Sequence, residues 1–76
     1  MKLHLGGNLS WYDRQKRADL EITLVEKISL NALLAQLGIP RAEVAIISVN
    51  DEMITGDDVI LCDSDTVSLF PPIAGG

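Results

Sequence analysis

A chain of 76 residues, 47% of them hydrophobic, holds one domain with one modest core and is not a disordered chain. Its only aromatics are Trp11, Tyr12 and Phe70, so the core is aliphatic, and its single cysteine, Cys62, excludes an internal disulfide and the four-thiolate zinc patterns. The net charge of −5 argues against nucleic acid as a partner, since a phosphate backbone would be repelled.

"MKLHL" (1–5) alternates strictly, with Met1, Leu3 and Leu5 on one face and Lys2 and His4 on the other, which predicts a half-buried strand. Gly6-Gly7-Asn8 breaks it with turn chemistry. No signal peptide or membrane span is expected in residues 1–25, where charges recur throughout; with a lone cysteine this points to a cytoplasmic protein with no membrane partner. "DLEITLV" (19–25) alternates again, with Leu20, Ile22 and Leu24 inward, and predicts an antiparallel partner for the first strand across an elaborated loop. In that loop Trp11 and Tyr12 are expected to pack locally, while Arg14, Lys16 and Arg17 read as solvated.

Ser29 can cap a helix, and Leu30, Leu33, Leu34 and Leu37 then fall on one stripe. Gly38 supplies a left-handed stop and Pro40 prevents resumption. So short a helix must dock on a sheet to persist. "EVAIISV" (43–49) predicts a strand with apolar residues on both faces, hence central or covered, Asn50-Asp51 a turn, "DVILC" (58–62) a short strand, and "TVSLF" (66–70) the last strand with Val67 and Leu69 inward. With 58–62 counted only as a short addition, the predicted order is β-β-α-β-β, an α+β fold. Asp51, Glu52, Asp57, Asp58, Asp63 and Asp65 account for six of the eleven acidic residues. They read either as turn residues with a solvated face or as a surface for a basic partner.

Catalytic chemistry is missing. His4 has no acid or nucleophile at fixed spacing, Cys62 sits in an apolar strand and reads as a packing residue, and no phosphate loop or metal-ligand spacing occurs. For Cys62 a persulfide or crosslink acceptor is the functional alternative.

The end of the chain, "LFPPIAGG", is where chemistry concentrates. Pro71 and Pro72 have no N–H to continue a ladder, so the strand stops while the chain leaves it extended. Ile73 and Ala74 regain N–H groups that can pair with a partner, and Gly75 and Gly76 fit a channel too narrow for a Cβ. Terminal Gly-Gly alone arises by chance in roughly one chain in 200. Joined to a proline-stiffened exit it carries weight, and the division expected is a domain over 1–70 and an extended tail over 71–76. Phe70, of opposite parity to Val67 and Leu69, is either a docking anchor beside the tail or a packed sheet-edge residue.

"VNDEMI" (49–54), "LCDSDTVSLFPP" (61–72) and "IAGG" (73–76) resemble the MoaD/ThiS family of sulfur carriers, the type of the molybdopterin-synthase small subunit and the thiamine pathway. Ser64 stands where the family has the glycine of an Asp-Gly-Asp turn, and the double proline favours the molybdopterin branch. The resemblance implies a ubiquitin-like β-grasp fold, a mixed sheet with one packed helix, and a non-catalytic protein that binds no cofactor or metal itself. It implies that Gly76 is adenylated by a ubiquitin-activating-type adenylyltransferase using ATP and Mg, then converted to a thiocarboxylate with sulfur from a persulfide donor. Gly75, Ala74 and Ile73 would thread into the partner, and Phe70, Pro71 and Pro72 would orient and dock the tail. The acceptor implied is the molybdopterin synthase large subunit or an equivalent enzyme. A thiamine-pathway carrier, or a ubiquitin-like modifier conjugated through Gly76, is the alternative.

Overall fold

The computed structural model describes residues 1–72. Their elements are β1 (Lys2–Leu5), a 3-10 turn (Gly7–Tyr12), β2 (Asp19–Glu21), β3 (Ile28–Ser29), α1 (Leu30–Leu37), a second 3-10 turn (Arg41–Glu43), β4 (Ile46–Val49), β5 (Glu52–Ile54), β6 (Ile60–Leu61) and β7 (Thr66–Phe70). Five strands form one mixed sheet in the order β2-β1-β7-β4-β5, and β3 and β6 form a small separate ladder. The arrangement is that of a ubiquitin-like β-grasp.

At the centre of the sheet β1 and β7 run parallel, with Leu3 beside Val67 and Leu5 beside Leu69. The other pairs are antiparallel. Two consequences follow from the parallel pair. The inward residues of both strands meet over α1, and the ends of β1 and β7 emerge at the same edge of the domain.

The leucine stripe behaves as its spacing requires. Leu30, Leu33 and Leu34 are buried with Leu3, Leu5, Leu61, Val67 and Leu69, while Leu37 packs at the margin. Each buried leucine contributes about 1.5–3 kcal/mol. The Ser29 hydroxyl accepts the Ala32 N–H at 3.1 Å, and Gly38 at φ +75° closes the helix with the Ile39 N–H on the Leu34 carbonyl at 2.9 Å.

Several boundaries differ from the sequence expectation. The second strand stops at Glu21, although Leu20, Ile22 and Leu24 still pack against the core. Beyond Glu21, the Ile22 N–H bonds the Met1 carbonyl and the Leu24 N–H turns to the Asp63 carboxylate. The strand expected over 43–49 begins only at Ile46, because Pro40 leads into the second 3-10 turn. It is central, as its apolar residues suggested, lying between β7 and β5, but it is not covered on both faces: Ile47 is buried, while Ile46 is 38% exposed on the open side of the sheet. The 58–62 strand shrinks to β6, and the pairs β3–β6 and β4–β5 add strands that the β-β-α-β-β reading lacks. Asn50 and Asp51, at φ +53° and +68°, make the two-residue hairpin turn between β4 and β5.

Candidate functional site

The site is the outlet of β7. Val67 and Leu69 point into the core, and Phe70, of the other parity, lies on the open face at 37% exposure. Both neighbours hold the strand to its last residue: the Gly6 N–H bonds the Leu69 carbonyl at 2.8 Å, and the Ala45 N–H bonds the Phe70 carbonyl at 2.8 Å. Pro71 then has no N–H to offer, so the ladder ends there. The last described residue, Pro72, is exposed. Ile73, Ala74, Gly75 and Gly76, expected to enter the partner, lie outside the described residues.

Phe70 is packed on one side and open on the other. Its ring lies directly against Gly6, where an added Cβ would sit 2.4 Å from Cδ1, and it meets the His4 ring at a centroid distance of 5.9 Å. His4 is a sheet-face residue, but it is not isolated from an acid as the sequence suggested: pairing of β1 with β2 sets the Asp19 carboxylate 2.8 Å from its Nδ1. Pro71 packs beside Gly7 in the same manner. The remaining face of Phe70 is open. Ile46 stands opposite it on β4, and Met53 on β5 is 69% exposed on the same side of the sheet. These three apolar side chains share the open face of the sheet, Phe70 and Ile46 as direct neighbours beside the outlet.

The acidic cluster divides between structural and free carboxylates. Asp63 accepts the Leu24 N–H at 2.8 Å and the Met1 amino group at 3.2 Å. Asp65 accepts the Cys62 N–H at 2.8 Å and the Asn50 side-chain amide at 3.0 Å, and the Asn50 carbonyl oxygen accepts the Thr66 N–H. Asp58 accepts from the Asn31 and Val59 N–H groups. These donors hold all three carboxyls below the ordinary carboxylate range: for Asp63 the Leu24 N–H is the main cause, for Asp65 that of Cys62, and for Asp58 that of Asn31. Ser64 keeps a negative φ, so this turn has no need of the glycine expected there. Cys62 is half-buried with its sulfur 3.6 Å from the Ser64 hydroxyl.

The first loop departs from expectation. Trp11 does not pack locally; it is 70% exposed, and Tyr12 is 40% exposed. The reason is that Leu9, fully buried, is the residue the loop inserts into the core: at three residues per turn Trp11 falls on another face, while Tyr12, in line with Leu9, is the less exposed of the two. Arg17 is not merely solvated. Its guanidinium bonds both oxygens of Asp13, holding that carboxyl well below its usual range, while Arg14 and Lys16 are exposed. Sequence reasoning read Gly6-Gly7 only as a turn and missed its contact with Phe70 and Pro71. Two glycines directly after a strand were the available signal, but the partner lies at the far end of the chain.

Among the described residues no group of three His, Cys, Asp or Glu side chains is placed to hold a metal, and no helix is long and apolar enough to cross a membrane. The sequence profile of the ThiS family matches residues 10–76. No curated protein matches the chain.

Proposed function

The chain belongs to the ThiS family of small, non-catalytic sulfur carriers, and we propose that it carries sulfur as a thiocarboxylate on Gly76 for molybdopterin synthesis. Carriers of this family generally work with an adenylating enzyme and an acceptor enzyme. The observation that carries the reading is the outlet of β7: the strand is hydrogen-bonded on both sides through Phe70, then passes into Pro71 and Pro72 at the edge of the domain. That exit supports reading Ile73, Ala74, Gly75 and Gly76 as the segment offered to a partner.

The chemistry follows from the carboxyl group. An α-carboxyl has a pKa of roughly 3.3–3.7, so near neutral pH it is ionised and a poor electrophile. A ubiquitin-activating-type adenylyltransferase, using ATP and Mg, joins it to AMP and releases pyrophosphate. A persulfide donor displaces AMP through its terminal sulfur, and a thiol then cleaves the sulfur–sulfur bond, leaving the thiocarboxylate and a disulfide. Phe70, with Ile46 and Met53 beside it, docks the partner while Ile73 to Gly76 thread into its channel. The chain itself contributes no catalytic side chain, cofactor or metal.

Phe70-Pro71-Pro72 favours the molybdopterin branch, with the synthase large subunit as acceptor, over the thiamine branch. Reconstitution tests this. With the activating enzyme, ATP–pyrophosphate exchange should require Gly76 and vanish on its deletion, with the melting transition unchanged. The sulfur-loaded protein should then convert the pyranopterin precursor in the presence of the synthase large subunit. Exchange that persists without Gly76 would contradict the carrier site, and transfer only to a thiazole-forming enzyme would move the protein to the thiamine branch.

A further inference from the structure

Gly6 is buried at the end of β1, with φ −77° and ψ 159°, an extended conformation open to any residue. Its backbone therefore does not call for glycine. Space does: an added Cβ would lie 2.4 Å and 2.8 Å from two carbons of the Phe70 ring and 3.1 Å from the Leu69 carbonyl oxygen. Gly7 adds a second contact of the same kind, since a Cβ there would lie 2.8 Å from Cγ of Pro71, and its φ of +53° also disfavours a side chain. Gly6 is not a loose loop residue. The Gly6 N–H is bonded to Leu69, its carbonyl accepts the Leu9 N–H at 3.1 Å, and Leu9 is fully buried.

We propose that Gly6 and Gly7 form a seat, pinned to the core by Leu9, against which Phe70 and Pro71 rest and which sets the direction in which the C-terminal tail leaves the domain. The two glycines are positioning residues acting through Phe70 and Pro71. The family match begins at residue 10, so it assigns them nothing. The parallel pairing of β1 with β7 is what brings residues 6 and 7 beneath residues 70 and 71. Direction matters here because the two prolines transmit it. In an extended tail each residue advances roughly 3.3 Å, so a tilt of about 15° at Pro71 moves the terminal carboxyl by roughly 4 Å. Misplacement of a reacting group by about 1 Å can already cost on the order of 10²-fold in rate. A loss of about tenfold is expected.

The inference rests on the carrier reading for its consequence, but its geometry is measured separately. Spin labels at Gln36→Cys on the exposed side of α1 and Ala74→Cys, in a Cys62→Ser background, report the tail direction as a distance distribution. Gly6→Ala should shift or broaden that distribution and lower kcat for adenylation about tenfold, with KM for the activating enzyme and the melting transition near their starting values. In a Phe70→Ala background the same substitution should change neither readout further, a coupling that a merely structural glycine would not show. An unchanged distribution in Gly6→Ala, or the same effect with and without the Phe70 ring, would overturn the seat. If Gly6→Ala folds poorly, Phe70→Ala, which leaves both prolines in place, replaces it: a shifted or broadened distribution supports the seat and an unchanged one overturns it. Failure of the unmodified protein to be adenylated would refute the carrier reading, while the label distances would still decide the seat.

Discussion

Replacing Leu9 by alanine tests whether the first loop is part of the core. Leu9 is 0% exposed and sits in a 3-10 turn whose other apolar side chains, Trp11 and Tyr12, remain outside. Truncation leaves a cavity that the turn cannot collapse to fill, because Gly6 is bonded to β7 and the Arg17–Asp13 pair fastens the far end. Substitutions of this kind cost about 2–5 kcal/mol. A domain of 76 residues is stable by roughly 4–11 kcal/mol, so the loss takes a large share of the total. With an unfolding entropy of about 2.1 cal/mol/K per residue, 1 kcal/mol corresponds to about 6 °C here, and the melting midpoint should fall by about 12–30 °C. Circular dichroism or calorimetry reads this directly, with Leu9→Met as the volume-conserving control. A fall of less than about 3 °C would mean that the loop is a connection and not a plug, and would remove the support from beneath Gly6 and Gly7.

Ser29→Ala removes the acceptor for the Ala32 N–H and should cost about 1 kcal/mol in a urea titration, with no change in the slope of the transition; no loss would show the cap to be idle. Asp58, Asp63 and Asp65 have carboxyls held below their ordinary pKa, so in acid the unfolded chain binds protons that the folded one resists. Their contribution is complete above the unfolded value of about 3.9 and is lost as pH falls through the lower folded values. The urea midpoint should therefore decline below about pH 4, and a flat midpoint there would contradict these hydrogen bonds. Charge reversal at Asp63 or Asp65 should destabilise the fold itself. Glu52 and Asp57, whose carboxylates make no hydrogen bond among the described residues, are the sites where Lys should weaken a basic partner more at low salt than at high; an equal effect at both would leave them a solvated face.

The helix and the outlet were legible because each is written locally. Four leucines at helical spacing, a serine before them and Gly38 after them can signal only one thing at that length, and Pro71-Pro72 after an alternating strand ends a ladder by chemistry alone. Strand β5 was not legible: of Glu52, Met53 and Ile54 only Ile54 packs against the core, so no two-residue period develops. Leu9 stands alone between polar neighbours, and a 3-10 plug has no repeat to recognise. The contact of Gly6 with Phe70 depends on the parallel pairing of the first and last strands, which neither strand's own pattern encodes. Asp63 and Asp65 were legible as turn residues, but what they hold was not, since Asp63 bonds Met1 and Leu24 from distant parts of the chain.

The central claim is that Gly76 carries sulfur. Intact-mass and C-terminal peptide mass spectrometry of the protein isolated from its own cells tests it most directly. The account predicts a population in which one oxygen of the Gly76 carboxyl is exchanged for sulfur, lost on mild hydrolysis and regenerated by ATP, activating enzyme and a persulfide donor. A free acid under all of these conditions, or a branched lysine conjugate in place of the thiocarboxylate, would contradict it.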